Sequence, residues 1–398
     1  MRALGRCVPD GAYGTAALSG IPRAGFDENR ASDRTPGFFT CTAARLPLNM
    51  HGTQCRAPAR STTDSCVNHD RVLHTMFRDN APEITRPCFT ADGNRVRLED
   101  VVALLLSHGR GLHVEDHAFV AQQRQIDVDM RVVDAIGARM TLEGFAQYTP
   151  ADDVRSTFPL AAMRDMVTSL AQTGIPPVFA FVCDEFWLTY WRLQKVVAAA
   201  LGTTAFMLMP DFWVWHVSAK AGQAGWSMHR DAGARSLLPD GRAGALSLWM
   251  PLTPVDSSTG CVMLLPKHRD PDHGTDRVSQ AGFDVRDIRA LPGAAGDLMM
   301  WSQSLLHWGS RGSTLSETSR ISMSIGAQVE ALGPLNPPLL KPDMLPAAGL
   351  RLELIAKQIL QYEQFAAIDP SWAHFARVVL ASGLSGLVFD IPVEWRLR

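Results

Sequence analysis

Residues 296–310, GDLMMWSQSLLHWGS, carry the clearest signal for the fold of this chain. A Gly-Asp turn opens the stretch, a run of large apolar residues follows, and His307 then stands beside Trp308 and Gly309. A short apolar run between turn residues favours a buried β-strand, because a helix would need a longer periodic pattern. The stretch therefore predicts a core strand with a histidine close to its end.

Several short segments of the same kind lie around this strand. They read TAFMLMP, DFWVWHVSA, ALSLWMPLTPV, CVMLLP and RISMSIGAQV, and turns rich in Gly, Pro, Asp and Ser separate them. Closely spaced strands with turn signals between them are typical of an antiparallel sandwich or barrel, not of a parallel α/β sheet. We therefore expect a mostly β core over residues 203–330.

Helical patterns flank the predicted β core on both sides. LEDVVALLLSHG begins at Leu98 with acidic residues and closes on Gly109, as helices commonly do. Similar patterns predict a helical part over residues 98–202 and further helices over 346–384. Together they predict one domain over residues 76–398.

The first 75 residues have a different character. They mix Arg, Pro, Gly, Ser and Thr without sustained periodicity, which predicts little fixed structure. Met50 and Met76 are also alternative starting points for the chain.

The composition of the chain excludes some classes of partner. Its 398 residues carry a formal net charge of −2, which gives no general attraction to nucleic acid. No apolar run reaches the roughly 18 residues that a membrane span needs. The seven cysteines are scattered without a C-x-x-C pair, which favours reduced thiols in the cytoplasm over a disulfide framework or a zinc finger. A small-molecule partner is the remaining expectation, and the sequence assigns no oligomeric state.

A pattern of metal ligands begins at residues 226–233, WSMHRDAG. His229 and Asp231 are two residues apart, so on a strand their side chains would project from the same face. His307 follows on a later predicted strand that can fold back beside them. Two histidines and one carboxylate form the facial triad of non-haem Fe(II) oxygenases, which leaves positions open for substrate and oxygen.

A candidate anion-binding arginine follows the third ligand. In RISMSIGAQ, Arg320, Ser322 and Ser324 would share one face of a strand. Oxygenases of this kind usually take two electrons from a 2-oxo acid, and Arg is the side chain best suited to a carboxylate because it offers two parallel donors. Two other interpretations stay open: Arg320 could form a surface ion pair with Glu317, and Arg311 is a competing anchor.

The ordered set of H-x-D, the stretch ALSLWMPLTPVDSSTGCVMLLPKHR, the G-D-strand-His segment and R-x-S resembles the phytanoyl-CoA dioxygenase-like group of Fe(II)/2-oxoglutarate-dependent oxygenases. The resemblance covers about residues 205–330. It implies a double-stranded β-helix core, also called a jelly roll and cupin-like, and the cofactors Fe(II), 2-oxoglutarate and O2. One departure is LPKHR at residues 265–269, where the family often has Pro-Gly-Ser-His.

The resemblance also implies roles for individual residues. His229, Asp231 and His307 would be the catalytic iron ligands, Arg320 would anchor 2-oxoglutarate, and Ser322 would assist it. The related halogenases have a small residue at the position of Asp231, so the carboxylate here favours hydroxylation.

The substrate side is described only broadly by the sequence. His216 and Trp249 are candidate substrate contacts, although each is also a candidate for packing in the core. The expected substrate is a small apolar or amphipathic molecule, either lipid-derived or a secondary metabolite.

Three alternatives belong to other classes. One is a cupin-like metal hydrolase or isomerase that does not use 2-oxoglutarate, and another is a catalytically silent jelly-roll binding protein. The third is a zinc peptidase built on HVEDH at residues 113–117. This last stretch matches neither H-E-x-x-H nor H-x-x-E-H and has no obvious third ligand, so a charged first helical turn explains it better.

Overall fold

The structure is a computed structural model that describes residues 98–278, 282–366, 368–382 and 394–396. The segment 1–75, for which the sequence predicts little fixed structure, lies outside the described residues. None of the helices in the described part of the chain has the length and apolar character needed to cross a membrane.

Seven helices precede the first long strand in the described residues, and two follow the last strand of the core. The helices are α1 (Leu98–His108), α2 (His117–Gln122), α3 (Met130–Glu143), α4 (Asp152–Arg155), α5 (Leu160–Gln172), α6 (Asp184–Arg192), α7 (Gln194–Leu201), α8 (Ala348–Gln361) and α9 (Pro370–Ser382). Short 3₁₀ turns at Pro177–Val182, Gly233–Ser236, Lys267–Arg269 and Val285–Asp287 link neighbouring elements.

The strands form two antiparallel sheets and a separate two-stranded pair. The strands are β1 (Phe145–Tyr148), β2 (Phe206–Val217), β3 (Ala245–Pro251), β4 (Val262–Leu264), β5 (Arg289–Leu291), β6 (Leu298–Ser302), β7 (His307–Gly309), β8 (Arg320–Val329), β9 (Met344–Pro346) and β10 (Glu394–Arg396). The larger sheet has the order β1-β6-β3-β8-β2, the smaller sheet has the order β5-β4-β7, and β9 pairs with β10.

Both faces of the larger sheet are buried, and alternate residues along each strand serve opposite faces. In β3, Leu246, Leu248 and Met250 pack into the cluster that contains the helices. Trp249 faces the other way and packs with residues of the smaller sheet, such as Val262 and Leu264. The smaller sheet therefore lies against the inner face of the larger one, and the helices cover the outer face.

The smaller sheet is extended by the segment that carries the H-x-D motif. His229 pairs with His307 in an isolated antiparallel bridge, which places this segment beside β7. The resulting order is the H-x-D segment, β7, β4 and β5, packed against the larger sheet. This arrangement of two facing antiparallel sheets confirms the predicted jelly-roll fold class with flanking helices.

The HVEDH stretch is held by a group of buried charges, and in the described part of the chain its side chains do not belong to a group with the spacing of metal ligands. His113 donates its backbone N–H to Glu185, and its ring Nδ1 lies 2.6 Å from Oε1 of the same carboxylate. Asp184, on the same helix, accepts the backbone N–H groups of residues 115 and 116 and pairs with Arg351 of α8 at 2.7 Å. Because Asp184, Glu185 and Arg351 are buried and have partners, this cluster joins the loop to α6 and α8 and acts structurally.

One element was not expected from the sequence. Residues 145–148, inside the range predicted to be helical, form β1 and pair with β6 at the edge of the larger sheet. Gly144 ends α3 with φ of 82°, a left-handed conformation that Gly adopts without strain, and the chain turns directly into the strand. The division of the chain into 98–202, 203–330 and 346–384 stays a prediction.

Candidate active site

Three side chains that the sequence singled out converge on one point between the sheets. The Nε2 atom of His229 lies 3.3 Å from Oδ1 of Asp231, and Nε2 of His307 lies 3.5 Å from the same oxygen. Among the described residues, these three form the only group of histidine, cysteine and acidic side chains with ligand atoms close enough to hold a metal ion, all within 4.8 Å of one another.

The backbone fixes the two histidines relative to each other. The N–H of His229 donates to the carbonyl of His307 at 2.9 Å, and the N–H of His307 donates to the carbonyl of His229 at 3.0 Å. The two imidazole centroids are consequently 4.2 Å apart. The two histidines are thus directly paired neighbours although they are 78 positions apart in sequence.

Further hydrogen bonds orient all three side chains toward the common point. Nδ1 of His229 lies 2.6 Å from the carbonyl of Ser227, and Nδ1 of His307 lies 3.1 Å from the carbonyl of Leu305. Each carbonyl can only accept, so each Nδ1 carries the proton and each Nε2 keeps its lone pair. The hydroxyl of Ser247 on β3 donates to Oδ2 of Asp231 at 2.6 Å, which leaves Oδ1 directed to the histidines.

The electrostatics of the three groups favour neutral imidazole at His307 and a charged carboxylate. Burial lowers the pKa of His307 to about 4. Burial opposes the charge on Asp231, yet His307, His229 and the Ser247 hydroxyl hold its pKa well below the usual range. Burial also opposes protonation of His229, but its contacts with Asp231 raise its pKa above the usual value. A metal ligand needs a bare carboxylate or an unprotonated coordinating nitrogen, so Asp231 and His307 already favour the ligating state, whereas metal binding at His229 would release the proton that its raised pKa favours.

Arg230, which lies between two of these residues in sequence, fixes the strand from its other side. Its guanidinium forms a two-pronged ion pair with Asp270 at 2.6 and 3.0 Å, and it donates to the carbonyl of Ser304 at 2.6 Å. The side chains of Arg230 and Asp270 are each only 2% exposed. Sequence analysis missed this pair, because the two residues are 40 positions apart and no local pattern joins them.

Arg320 lies at the start of β8 with its guanidinium buried. Nη1 donates to the carbonyl of Gly260 at 2.6 Å, whereas Nε is buried with no partner among the described residues. Burial lowers the pKa of Arg320 to about 10, which still leaves it cationic at neutral pH. Arg320 does not form the alternative ion pair with Glu317, because Glu317 pairs with Lys220 at 2.7 Å. Arg311, the other candidate anchor, is exposed.

Two glycines leave room for this guanidinium. A Cβ at Gly225 would lie 2.5 Å from Nη2 of Arg320 and 2.7 Å from Cα of Gly309. A Cβ at Gly309 would lie 2.6 Å from Cα of Gly225. The backbone therefore approaches here to a distance that no larger residue permits.

An open cleft contains the three converging side chains and Arg320. Its wall is strongly aromatic, and the aromatic residues are Trp215, Trp226, Trp249, Trp301, Trp308 and Tyr362. Asp211 and Ser324 also line it. Trp249 thus lies where a substrate contact was expected.

The other two residues singled out from the sequence do not line the cleft. Ser322 shares the inner face of β8 with Arg320, but it is fully buried and its Oγ has no partner among the described residues. His216 pairs with Ile321, whose side chain packs against the outer, helix-covered face. Because directly paired residues point to the same face, His216 projects away from the cleft, and Trp215 faces it instead. The structure therefore does not bring His216 to the site.

The sequence model of the phytanoyl-CoA dioxygenase (PhyH) family matches residues 132–321, which include the three converging side chains and Arg320. No curated protein matches the chain.

Many solved structures match, although at low similarity. One is the epimerase SnoN in complex with Fe3+, alpha ketoglutarate and nogalamycin RO, with 20% identity, a TM-score of 0.37, and coverage of 50% of this chain and 85% of that chain. A second is AviO1 from Streptomyces viridochromogenes Tue57, with 17% identity, a TM-score of 0.39, and coverage of 54% and 100%. A third is EctD from S. alaskensis with 2-oxoglutarate and 5-hydroxyectoine, with 14% identity, a TM-score of 0.37, and coverage of 55% and 84%.

The family match and the site geometry lead to the same assignment. The His-Asp-His group could hold a metal ion, and this donor set is the one that oxygenases using Fe(II), 2-oxoglutarate and O2 have. The match of residues 132–321 to the phytanoyl-CoA dioxygenase (PhyH) family model agrees with the resemblance that the sequence shows.

Proposed function

We propose that this protein is an Fe(II)/2-oxoglutarate-dependent hydroxylase that oxidises a C–H bond of a small, apolar or amphipathic molecule. The observation that carries the proposal is the convergence of His229, Asp231 and His307, with both Nε2 atoms directed to one carboxylate oxygen. A lipid-derived chain and a secondary metabolite are the substrate classes we expect for the cleft.

The three groups fit an Fe(II) ion by their chemistry. Two imidazole nitrogens and one carboxylate oxygen, without a thiolate, favour Fe(II) or Mn(II) over structural zinc. All three come from one side, so the opposite side stays open to the cleft. The hydrogen bonds to Ser227, Leu305 and Ser247 already hold the ligand atoms in place.

Arg320 fits the far carboxylate of 2-oxoglutarate, and Ser322 stays a predicted assisting hydroxyl although it does not line the cleft. Arg320 has no carboxylate within ion-pair distance among the described residues, and its Nε lacks a partner. The hydroxyl of Ser322, two residues on and on the same face, also lacks one. Buried donors without acceptors are costly, so their presence together supports an anionic ligand that would satisfy them.

The protein's own contribution is to position the metal, the co-substrate and the substrate, and to exclude water. Arg320 would orient the co-substrate, the histidines and Asp231 would hold the metal, and the tryptophan-rich wall would place the substrate and keep water out. When bound, Fe(II) with 2-oxoglutarate and O2 supplies an oxidant able to remove hydrogen from a C–H bond, while the 2-oxo acid is converted to succinate and CO2. Asp231 fills the ligand position that the related halogenases keep free, so hydroxylation is the favoured outcome.

The two remaining alternatives explain less of the site. A cupin-like hydrolase or isomerase would leave Arg320 buried without a carboxylate to bind. A silent binding protein would not need hydrogen bonds that orient all three ligand side chains.

Anaerobic titration tests the proposal before any substrate is known. Fe(II) is added to the metal-free protein, 2-oxoglutarate follows, and a visible charge-transfer band is expected. In Arg320→Ala, the dissociation constant of 2-oxoglutarate should rise at least about 30-fold, because a buried charged pair is lost. Arg311→Ala, at the exposed arginine, is the matched control and should behave like the native protein.

Two results would overturn the proposal. One is a native protein that binds Fe(II) but shows no response to 2-oxoglutarate. The other is a His307→Ala variant that binds Fe(II) as tightly as the native protein, measured by equilibrium dialysis.

A further inference from the structure

Strand β2 contains an irregularity that the positions of His229, Asp231 and His307 do not require. Met209 pairs with Gly326, and Phe212 pairs with Ile325, the residue next to Gly326. Pro210 and Asp211 are therefore two extra residues in β2 that have no partner in β8. Such a bulge interrupts the ladder, and bulges beside active sites commonly direct a side chain to a particular place. Here the bulged Asp211 lines the cleft.

Helix α8 and the residue that follows it hold the bulge in place through three polar side chains. The buried amide of Gln358 donates to the carbonyl of Pro210 at 2.5 Å and accepts the N–H of Phe212 at 3.1 Å. Gln361 donates to Oδ1 of Asp211 at 2.9 Å, and the Tyr362 hydroxyl donates to the same oxygen. The carboxylate is therefore fixed through Oδ1, while no hydrogen bond reaches Oδ2 from the described residues.

Among the described residues, no cation forms an ion pair with Asp211, and only Lys357 contributes a favourable charge. Burial raises its pKa, and the charge of Asp231 raises it further. Lys357 acts weakly in the opposite direction, but its ammonium is bound to Asn336 and to the carbonyl of Pro337. A positive group in the cleft would relieve both unfavourable effects.

The cleft consequently has two ends of opposite character. Arg320 pairs with Val217 in the ladder, whereas Asp211 stands beside the pairing of Phe212 with Ile325. Five residues of an extended strand separate these positions, which is roughly 17 Å. The dianion 2-oxoglutarate is attracted to the Arg320 end and repelled from the Asp211 end, so Asp211 belongs to the primary substrate.

Aromatic rings extend from the Asp211 end along the cleft, because Tyr362, whose hydroxyl donates to Asp211, contacts Trp226, which in turn contacts Trp215. The ring of Trp226 lies 4.7 Å from that of Tyr362 and 5.1 Å from that of Trp215. All three residues line the cleft. Aromatic faces beside a carboxylate form the usual environment for an organic cation, and they also stack on a ring of the ligand.

We propose that Asp211 is a specificity-determining residue that receives a protonated amine on a ring-bearing substrate, with Trp215, Trp226 and Tyr362 packing around the amine and its ring. This inference rests on the proposed function and names its substrate class. A purely structural Asp211, serving only to hold α8, would satisfy its hydrogen bonds through Oδ1 and would show no preference among ligands of different charge.

Three probes with a common skeleton test this directly: phenethylamine, 2-phenylethanol and 3-phenylpropanoate, which are cationic, neutral and anionic. Binding to the metal-free protein is followed by tryptophan fluorescence, since tryptophans line the cleft. Because no metal is present, the result does not depend on the iron and 2-oxoglutarate titration. We expect the amine to bind about tenfold more tightly than the alcohol, and the anion to bind most weakly.

The variant Asp211→Asn keeps the size and the acceptor oxygen for Tyr362 and Gln361 but removes the charge. Its amine-to-alcohol ratio should fall to about one, whereas Asp165→Asn, at an exposed carboxylate of α5, should keep the native ratio. Circular dichroism establishes that each variant is folded. The proposal is overturned if the native protein does not distinguish the amine from the alcohol, if it binds none of the probes, or if folded Asp211→Asn retains the preference. Even if that variant does not fold, a native protein without the preference for the amine overturns the proposal.

Discussion

Replacing Asp270 with alanine tests whether the ion pair beneath the ligand strand supports the metal site. The change leaves the guanidinium of Arg230 buried without its carboxylate, and loss of one partner from a buried pair costs about 3–5 kcal/mol. Arg230 keeps two acceptors, the carbonyls of Ser304 and Arg277, at 2.6 and 2.8 Å. We therefore expect the free energy of unfolding to fall by an amount near the lower bound, about 3 kcal/mol.

Urea denaturation of the metal-free protein measures this loss. With a slope of about 3 kcal/mol per molar urea for a chain of this size, the midpoint should fall by about 1 M. Metal affinity should weaken about 10- to 100-fold, because Arg230 orients the two ligands that flank it. Asp284→Ala, which breaks an exposed pair with Arg286, is the control and should change neither quantity. A stable Asp270→Ala protein with native metal affinity would refute the reasoning.

Three further predictions concern single features of the site. Ser247→Ala removes the hydrogen bond to the carboxylate ligand, so equilibrium dialysis should show Fe(II) binding about tenfold more weakly in a protein that melts at nearly the native temperature. Gly225→Ala places a Cβ against the guanidinium of Arg320, so calorimetry should show weaker binding of 2-oxoglutarate while Fe(II) binding is retained. The control is Gly137→Ala, at a helical position where the nearest atom to the added Cβ is 3.8 Å away, and it should bind both normally. For the metal-free protein, the pKa of His307 is near 4 when folded and about 6.5 when unfolded, so the unfolded chain takes up the proton first as the pH falls. The free energy of unfolding should therefore fall by up to about 3 kcal/mol as pH decreases from 6.5 to 4. Urea denaturation across this range should give a flatter dependence in His307→Gln, and an equally steep one would contradict the assignment.

Local patterns predict the strands and the ligand triad of this chain. Side chains alternate with period two along extended backbone, so H-x-D favours both groups on one face even though this segment forms only a single bridge, at His229. A turn, an apolar run and His307 likewise form a signal within fifteen residues. These features could be found because their physical cause is contained in neighbouring positions.

Features that depend on distant residues could not be found in this way. Arg230 meets Asp270 across 40 positions, and Asp211 acquires its hydrogen bonds from a helix about 150 positions later. The side of β2 that faces the cleft was also undetermined, since both faces of this strand are buried and apolar. His216 was therefore assigned to the cleft although Trp215 is the residue that lines it.

The mutual backbone hydrogen bonds of His229 and His307 have a kinetic consequence. Two backbone hydrogen bonds join the imidazole-bearing residues in a closed ring. Thermal motion therefore moves the two residues as a unit and alters their separation little. Release of an ion from between them by a widening of this pair requires both links to open. The escape rate through that route would then follow the protection of these two amides against hydrogen exchange, which ties the residence time of the ion to the local opening of a single strand pair.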